Sequence, residues 1–323
     1  MATLQYLRKL TLAVGNAAGQ ATDFSNQRCV FSVRRGDFQT PNSCDVRIYN
    51  LSQKTANSLT DPAQFTQVAI QAGYEGNFGL IFRGTIKQVR LGRVDARDSY
   101  VDITAADGDE AYNFSPMALS LAAGSTPKSD LQAFIRSMAE AGVSQGYAPQ
   151  FSESGRVRGR VFYGLTRDEL RQFAKDNDVV WSIQDGQLTL IPQVSYIPGE
   201  VPVISPQTGL LGIPEQTQNG ILMRVLLNPS LKIGQRVLLQ SNAINQYRYG
   251  LDVQSQATNP LLARSIKTSA DGTYYVMKAD HNGDTRGNDW YTQLTCLAVD
   301  ATVPPNLASQ GAINPSAASI PRY

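Results

Sequence analysis

The chain has 323 residues, of which 42% are hydrophobic and only 17% are charged, and its formal net charge is +2. This length is sufficient for two or three domains with hydrophobic cores of their own. The low charge content suits large protein–protein surfaces, although a β-rich monomer with an uncharged polar surface would have the same composition. The near balance of charge argues against specific nucleic-acid binding, which needs concentrated Lys and Arg.

Neither a membrane segment nor a disulfide framework is expected. The sequence has no run of about 18 apolar residues, so we expect no membrane span and no stable membrane association. Arg8 and Lys9 interrupt the leucines of the first 15 residues, where a secretory signal would have an unbroken apolar stretch, so we expect cytoplasmic synthesis. Cys29, Cys44 and Cys296 are odd in number and widely spaced, so we expect free, buried thiols.

The first third of the chain alternates apolar and polar residues, which predicts short β-strands. The strand-like runs are 10–14, 29–33, 68–70, 81–89 and 100–105, with turn signals at 36–37, 73–77 and 107–108. Ser52 is a predicted helix N-cap, and Ala56 and Leu59 follow it at helical spacing. Short strands at regular spacing predict a β-sandwich or a β-barrel.

The middle of the chain changes to a helical period. Thr126 and Pro127 predict a helix start, and the apolar stripe that follows is Leu131, Phe134, Ile135 and Met138, ending near Gly142. The run 166–169 predicts a capping box for a second helix, with a buried face formed by Leu170, Phe173 and Ala174. Runs 179–183 and 188–191 flank Asp185-Gly186, which predicts a tight type I′ hairpin.

The last third returns to β-structure. Prolines 198, 202 and 206 indicate a linker-like crossing, runs 221–227 and 236–240 predict strands, and 274–279 with 291–298 predict a closing hairpin. Residues 303–323 are rich in Pro, Ala, Ser and Asn, which predicts a tail that orders on a partner.

His281 is the single histidine and stands in the run Asp280-His281-Asn282-Gly283-Asp284. A Ser-His-Asp or Cys-His catalytic scheme would have to use it, and a metal site could add Asp280 and Asp284. Asn-Gly is a strong turn signal, so we interpret this run as a turn rather than as a base or a metal ligand. We expect no catalytic, cofactor-binding or metal-binding residue in the chain and no cofactor.

The carboxylates Asp107, Asp109 and Glu110 could serve glycoside hydrolysis, which needs two placed carboxyl groups. They stand at a turn signal without a supporting pattern, so we interpret them as exposed turn acids. Glycine-rich loops followed by Lys-Ser or Lys-Thr are absent from the sequence, which excludes a phosphate loop of the usual kind.

Two basic stretches have two interpretations each. They could protect exposed strand edges by charge, which we favour, or they could contact an acidic partner or passing nucleic acid. The stretches are Arg83, Lys87, Arg90, Arg93 and Arg97, and then Arg156, Arg158 and Arg160.

Several motifs, taken in their order and spacing over roughly residues 5–300, resemble the baseplate hub proteins of tailed phages, a family with relatives in contractile bacteriocins and type VI secretion spikes. The early motifs are 46–52 (VRIYNLS), 72–74 (AGY) and 81–86 (IFRGTI). The later motifs are 205–214 (SPQTGLLGIP), 226–229 (LLNP) with Gly234, and 281–287 (HNGDTRG) with Trp290.

The resemblance implies a homotrimer. Hubs of this family carry two similar β-barrels per chain, so three chains form a ring of pseudo-sixfold symmetry. One face of that ring docks on the hexameric tail tube or a distal tail protein, and the other holds the threefold spike or tip protein around a central channel. Tape measure and baseplate wedge proteins are further expected neighbours, in a tail assembled in the host cytoplasm. The chain is shorter than many hubs, which implies that an accessory domain is missing or supplied by a neighbour.

The resulting expectation is a mainly β fold with an α+β insert. We expect an N-terminal β-barrel domain over 1–114, a small α+β domain over 115–197, a second β-barrel domain over 198–302 and an extended tail over 303–323. Two alternatives stay open for the function: a tail-associated cell-wall hydrolase and a host carbohydrate-binding tail module. The second would need exposed aromatics in a groove, whereas Trp181 and Trp290 lie in apolar strand patterns typical of a core.

Overall fold

Strands dominate the computed structural model of the chain, which confirms the expectation of a mainly β fold. The structure describes residues 6–16, 19–62, 64–193, 195–217, 220–240, 245–246 and 272–298. The predicted tail over 303–323 lies outside these residues.

The first third of the chain forms strands and one short helix. The elements are β1 (Arg8–Gly15), β2 (Ala21–Asp23), β3 (Cys29–Gly36), β4 (Ser43–Tyr49), α1 (Gln53–Leu59), β5 (Gln67–Tyr74), β6 (Asn77–Arg93) and β7 (Ser99–Ala106). The hydroxyl of Ser52 accepts the backbone N–H of Thr55, which confirms the predicted N-cap of α1. The turn predicted over 73–77 is shorter than expected, because β5 continues to Tyr74 and the chain reverses at Glu75 and Gly76.

The middle third combines three helices with short strands. Its elements are α2 (Asp109–Phe114), β8 (Pro116–Leu121), α3 (Pro127–Ala139), β9 (Ser144–Gln145), β10 (Arg160–Leu165), α4 (Thr166–Asp176), β11 (Val179–Gln184) and β12 (Gln187–Pro192). Thr126 caps α3 and Pro127 opens it, as predicted. Asp185 and Gly186 have φ values of 53° and 75°, so the β11–β12 hairpin has the left-handed turn that Asp-Gly predicts.

The capping box predicted at 166–169 is wrong. Helix α4 begins at Thr166 itself, and Leu165 occupies the N-cap position without a side-chain hydrogen bond. Thr166 is fully buried, and its hydroxyl donates to the carbonyl oxygen of Ser115 at 3.0 Å. A tertiary contact therefore uses the hydroxyl that the local pattern assigned to the helix.

The last third returns to strands. Its elements are β13 (Val203–Ile204), a 3₁₀ turn (Pro206–Thr208), β14 (Leu210–Thr217), β15 (Gly220–Leu226), β16 (Arg236–Leu239), β17 (Asn245–Gln246), β18 (Gly272–Asp284) and β19 (Trp290–Ala298). Strands β18 and β19 form the predicted closing hairpin.

One sheet connects the first and last thirds. Its strand order is β17-β14-β15-β19-β18-β3-β4-β7-β6-β5-β1-β2, and β16 pairs with β18 and β13. The link is the antiparallel pairing of β18 with β3, which runs from Lys278 opposite Gly36 to Asp284 opposite Val30. A bulge at Met277 lets β18 pair with β16 before it and with β3 after it.

The described residues form three hydrophobic cores. The first lies under the N-terminal strands, the second lies between α3, α4 and the β11–β12 hairpin, and the third lies under the C-terminal strands. The second core confirms the helix faces predicted from the sequence, with Phe134, Met138, Leu170 and Phe173 buried and Ile135 partly buried. Trp290 is a core residue, as its strand pattern predicts, and it packs in the first core against Phe31. The closure of the strands into two barrels stays a prediction, as do the domain boundaries.

Candidate functional site

A buried polar junction lies where the three cores meet, and Arg35 on β3 is at its centre. The Arg35 side chain is only 5% exposed. Its guanidinium donates to the carbonyl oxygen of Ile81 at 3.0 Å, to Gln184 Oε1 at 3.2 Å and to Asp185 Oδ2 at 2.8 Å. Because a buried charge is costly without partners, these acceptors fix β3 to the hairpin of the second core.

Asp107 binds the turn of the β11–β12 hairpin. Its carboxylate accepts the backbone N–H groups of Asp185 and Gly186 at 2.5 and 2.9 Å. Burial raises the pKa of Asp107 to about 6. Asn42 adds a second contact by donating to the carbonyl oxygen of Ile183 at 3.0 Å. The hairpin is therefore attached to the N-terminal sheet by side chains on both sides of its turn.

Lys232 connects the third core to the same polar junction. Its flanking residues Leu231 and Ile233 are buried in that core. The ammonium group donates to the carbonyl oxygen of Leu80 at 3.2 Å and lies 3.8 Å from the Asp185 carboxylate. Burial lowers the pKa of Lys232. Asp185 therefore contacts one cation from the N-terminal sheet and one from the C-terminal half.

Asp37 and Tyr275 make a second polar link between the two halves of the sheet. The Tyr275 hydroxyl donates to Asp37 Oδ2 at 2.8 Å. The other carboxyl oxygen, Oδ1, is buried and has no hydrogen-bond partner within the described part of the chain. Burial raises the pKa of Asp37 to about 7, so a large fraction of this carboxyl group is protonated and neutral at pH 7.

The turn predicted at His281 is wrong, because residues 281–284 belong to β18 and pair with β3. Gly283 has a packing role here, since a Cβ at this position would overlap the ring of Phe31 and crowd Trp290. The chain reverses later, where the Asp284 N–H donates to the Asp289 carbonyl oxygen at 2.7 Å. Asp284 forms an ion pair with Arg28 at 2.8 Å, which connects the end of β18 to the residue that precedes β3.

His281 is buried in β18 beside Thr292, with 2.9 Å between Nδ1 and Oγ1. Burial lowers the pKa of His281 to about 3, so the imidazole is neutral at pH 7. Within the described residues, no group of three His, Cys, Asp or Glu side chains is placed to hold a metal ion. The arrangement is typical of a packed core position.

Two of the three carboxylates predicted as exposed turn acids, Asp107 and Asp109, have structural partners, whereas Glu110 lies in α2 and is exposed. Asp107 is buried in the junction, which makes that prediction wrong for this residue, because the hairpin turn covers it. Asp109 forms an ion pair with Lys87. The Asp107 hydrogen bonds therefore connect the N-terminal sheet to the β11–β12 hairpin, and the Asp109 ion pair connects α2 to β6.

The basic stretches divide into two groups. Arg156 and Arg160 surround the fully buried Asp130 at 2.7 and 3.3 Å, so edge protection is not their main role. The stretch 86–93 of β6 pairs with β7 alone among the described strands, so Lys87, Arg90 and Arg93 do stand along an open edge. Their position fits the interpretation as edge protection.

Sequence reasoning missed the polar junction, although one signal was present. Cys29, Phe31, Val33 and Arg35 share one face of β3, so strand alternation places Arg35 at an inward position. A charged residue at an inward position requires a buried partner. The side-chain partners of Arg35, Gln184 and Asp185, lie 149 and 150 residues further along the chain, which no local pattern indicates. The three cysteines are free and buried, as predicted, and no described helix has the length and apolar character needed to cross a membrane.

Comparisons with solved structures identify the fold. The 43 kDa tail protein of prophage MuSo2 from Shewanella oneidensis matches with a TM-score of 0.57 at 7% identity, covering 91% of this chain and 98% of that chain. The tail protein from Neisseria meningitidis MC58 matches with a TM-score of 0.53 at 11% identity, covering 90% of this chain and 96% of that chain. The c3393 protein of E. coli is described as a type VI secretion component structurally similar to the phage T4 tail proteins gp27 and gp5. It matches with a TM-score of 0.50 at 9% identity, covering 85% of this chain and 74% of that chain.

Comparison at the sequence level identifies the family. A search of curated proteins gives no significant match. The family model described as "Baseplate hub gp41" matches residues 28–249, which is more than half of the chain. This match covers the chain from β3 to β17, including the helical insert and the polar junction up to Lys232. The chain therefore belongs to the baseplate hub gp41 family of phage tail proteins.

Proposed function

We propose that this hub is the homotrimeric symmetry adaptor of a phage tail baseplate, joining the hexameric tail tube to a threefold spike or tip around a central channel. The observation that carries the proposal is the β3–β18 pairing, which merges strands over two separate β cores into one sheet. Three such chains would present six β units to a sixfold tube. The same three chains would present a threefold arrangement to the spike.

The proposed role is mechanical rather than catalytic. A ring that carries load between tube and spike needs its parts held at fixed angles. The junction of Arg35, Asp185 and Lys232 supplies such a constraint, because each of the three cores contributes to it. The β units correspond to the barrel domains over 1–114 and 198–302, and the α+β unit over 115–197 stands between them in the chain.

The neighbours follow from this position in the tail. One face of the trimer binds the tail tube or a distal tail protein, and the other binds the spike or tip protein. Tape measure and baseplate wedge proteins complete the surroundings, and the tail assembles in the host cytoplasm.

Native mass measurement of the full chain with its cognate spike protein tests the proposal. We expect a trimer that binds the spike, and electron microscopy of intact tails should place it between tube and spike. A chain that stays monomeric with its spike, at concentrations where tails assemble, would contradict the proposal. A cell-wall hydrolysis assay of the same purified chain should give no activity, and turnover there would support the hydrolase alternative instead.

A further inference from the structure

The strands from β15 to β6 share one outward side that crosses the boundary between the two β units. They run in the order β15-β19-β18-β3-β4-β7-β6, and the pairing of β18 with β3 joins the units. Buried core residues alternate along β3, β4, β7 and β15 with residues on the outward side. One register row of that side is Tyr291, Asn282, Ser32, Asp45, Thr104 and Gln88. We call the outward residues of these strands, with residues 85–93 of β6 and with Arg28 directly before β3, the outer sheet face.

The outer sheet face has no exposed large hydrophobic side chain among the described residues. Leu91 is the exposed hydrophobic residue on these strands, and it stands opposite the buried Val101 and therefore on the core side. Three tyrosines of the face lie under guanidinium groups: Tyr49 under Arg28 at 4.7 Å, Tyr100 under Arg47 at 4.0 Å and Tyr291 under Arg224 at 4.4 Å. Surfaces that bind proteins usually have an apolar centre. The outer sheet face therefore suits a hydrated contact better than a packed protein interface.

Most cations of the outer sheet face are held by carboxylates of the same face. Arg47 donates to both oxygens of the Asp102 carboxylate at 2.7 and 2.9 Å, from directly opposite positions in β4 and β7. The other ion pairs are Arg28 with Asp284 at 2.8 Å, Arg34 with Asp45 at 3.6 Å and Lys278 with Asp280 at 2.7 Å, and Lys87 at the bulge of β6 pairs with Asp109 of α2. Arg90 and Arg224, at the two flanks, have no ion pair within the described part of the chain.

The margins of the outer sheet face are close to neutral. Residues 93–98, at the β6–β7 loop, contain two arginines and two aspartates, and residues 286–289 contain one of each. Beyond the flanks, β14 adds the exposed Glu215 and the first half of β6 adds the exposed Arg83. Affinity for nucleic acid comes mainly from Lys and Arg that are free to neutralise phosphates. A face whose cations are mostly paired should therefore let a polyanion pass without holding it.

The outer sheet face has a depression across its middle strands. The depression has a volume of about 420 Å³, and residues of β19, β18, β3, β4, β7 and β6 line it. Three chains would supply about 21 such strands, and roughly 16–18 strands already leave an aqueous channel in a closed barrel. Because the β18–β3 pairing continues the face from one β unit to the other, it can form a wall without a break at that boundary.

We propose that the outer sheet face borders the central channel of the hub, and that its ion pairs keep its arginines from binding the phosphates of nucleic acid that passes. The proposal rests on the proposed function, because it assigns the wall of that channel. A nucleic-acid duplex is the occupant rather than a protein, because the face offers hydroxyl, amide and paired charged groups without an exposed apolar anchor.

Thiol labelling of the full chain in complex with its cognate spike tests the position of the face. Cys29, Cys44 and Cys296 are buried, so one introduced cysteine should react selectively. Ser32→Cys lies in the middle of the outer sheet face, and Ser154→Cys, in the exposed stretch before β10, is the matched control. We expect N-ethylmaleimide to modify both variants, whereas a maleimide carried on a folded protein should modify Ser154→Cys alone.

The salt dependence of duplex DNA binding by the same complex tests the ion pairs. Asp102→Asn leaves Arg47 without its carboxylate, so three freed arginines would face one duplex in the channel. Asp168→Asn is the matched control, because it frees Arg171 on α4, outside the face. Each cation that binds a phosphate adds about 0.9 to the slope of log affinity against log salt. Relative to the parent, a fourfold rise in salt should weaken duplex binding by about 40-fold more for Asp102→Asn and by about fourfold more for Asp168→Asn.

A double variant separates a charge effect from a loss of structure. Arg47→Gln combined with Asp102→Asn removes the freed cation, so it should return the salt dependence of duplex binding to that of the parent. Equal salt dependences for Asp102→Asn and Asp168→Asn would overturn the role of the ion pairs.

Two labelling results would overturn the position of the face. Modification of Ser32→Cys by the protein-borne maleimide would place the face on the outside of the ring. Protection of Ser32→Cys from both reagents would mean that a protein covers the face. In either case a trimer that binds its spike leaves the proposed function standing, whereas a parent chain that stays monomeric with its spike removes both proposals.

Discussion

Buried charges at the junction have more than one contact each. Substitutions of single residues there should therefore lower the free energy of unfolding by large and unequal amounts. Arg35 has three acceptors on two different elements, whereas its neighbour Arg34 has one ion pair at 3.6 Å on the surface. The two arginines are adjacent in the chain and point to opposite faces of β3. They therefore form an internal comparison between a buried and an exposed charge.

Arg35→Ala should lower the free energy of unfolding by about 3–5 kcal/mol, because it leaves the Asp185 carboxylate and Gln184 without their buried partner. Arg34→Ala should lower it by less than about 1 kcal/mol, because its pair with Asp45 is largely exposed. Urea unfolding of both variants at pH 7 measures the difference. Equal losses would mean that the junction does not hold the cores together.

Asp37 should make stability fall as pH rises. Its pKa is about 7 in the folded chain because of burial, against an ordinary value of 3.8. Between those values the folded state retains a proton that the unfolded state has lost, so the contribution of Asp37 to stability is complete below about pH 4 and is lost as the pH rises to about 7. Asp107 acts in the same direction, whereas His281, with its pKa lowered by burial to about 3, acts oppositely between pH 3 and 6.5.

Asp37→Asn removes one of these contributions and keeps an acceptor for the Tyr275 hydroxyl. Between pH 5 and pH 8 the unfolding free energy of the parent should fall further than that of the variant. The two decreases should differ by more than about 1 kcal/mol. The exposed Glu153→Gln serves as the control for loss of one carboxylate. Parallel pH profiles of Asp37→Asn and the parent would show that this carboxyl group is not held neutral.

Elements with local signals were predictable from the sequence, and elements with distant partners were not. The caps of α1 and α3 and the Asp185-Gly186 hairpin follow from neighbouring residues, so their patterns were sufficient. Thr166 and the run at His281 carried equally clear local signals, but tertiary contacts decided their structure. The polar junction had no local signal beyond the inward position of Arg35, because its partners meet only in the fold.

Gly283 is an example within one strand of a tertiary contact that overrules a local signal. The sequence around it is typical of a turn, but the glycine is required there by close packing. Gly283→Ala should destabilise the β3–β18 pairing by about 1–3 kcal/mol, because the new Cβ overlaps Phe31 and no flexible group can move away. Gly199→Ala is the matched control, with open space at its Cβ position. Thermal melts of the pair should differ clearly, and equal melting temperatures would restore the turn interpretation.

At the scale of the whole molecule, the first hydrophobic core combines residues from the N-terminal third with residues from the last third of the chain. Trp290 lies at the start of the last described strand, yet its ring packs on Phe31 and its indole N–H donates to the Gly73 carbonyl oxygen at 3.2 Å. Leu227 also belongs to the first core. A fragment that ends at residue 114 would therefore lack part of its own core and the β18 partner of β3. Folding of the two β units should be coupled.

Trp290→Ala tests this coupling. It should cost about 3–5 kcal/mol, and amide hydrogen exchange should rise in β3 and β5 of the N-terminal half as well as in β19. Trp181→Ala is the comparison, because Trp181 is buried in the second core, and it should raise exchange chiefly in α3, α4 and the β11–β12 hairpin. Faster exchange confined to β15, β18 and β19 after Trp290→Ala would show that the two β units fold independently. The expected spread to the N-terminal strands follows from a hub whose two β units share one sheet and one buried tryptophan, so that force applied to either unit reaches the other.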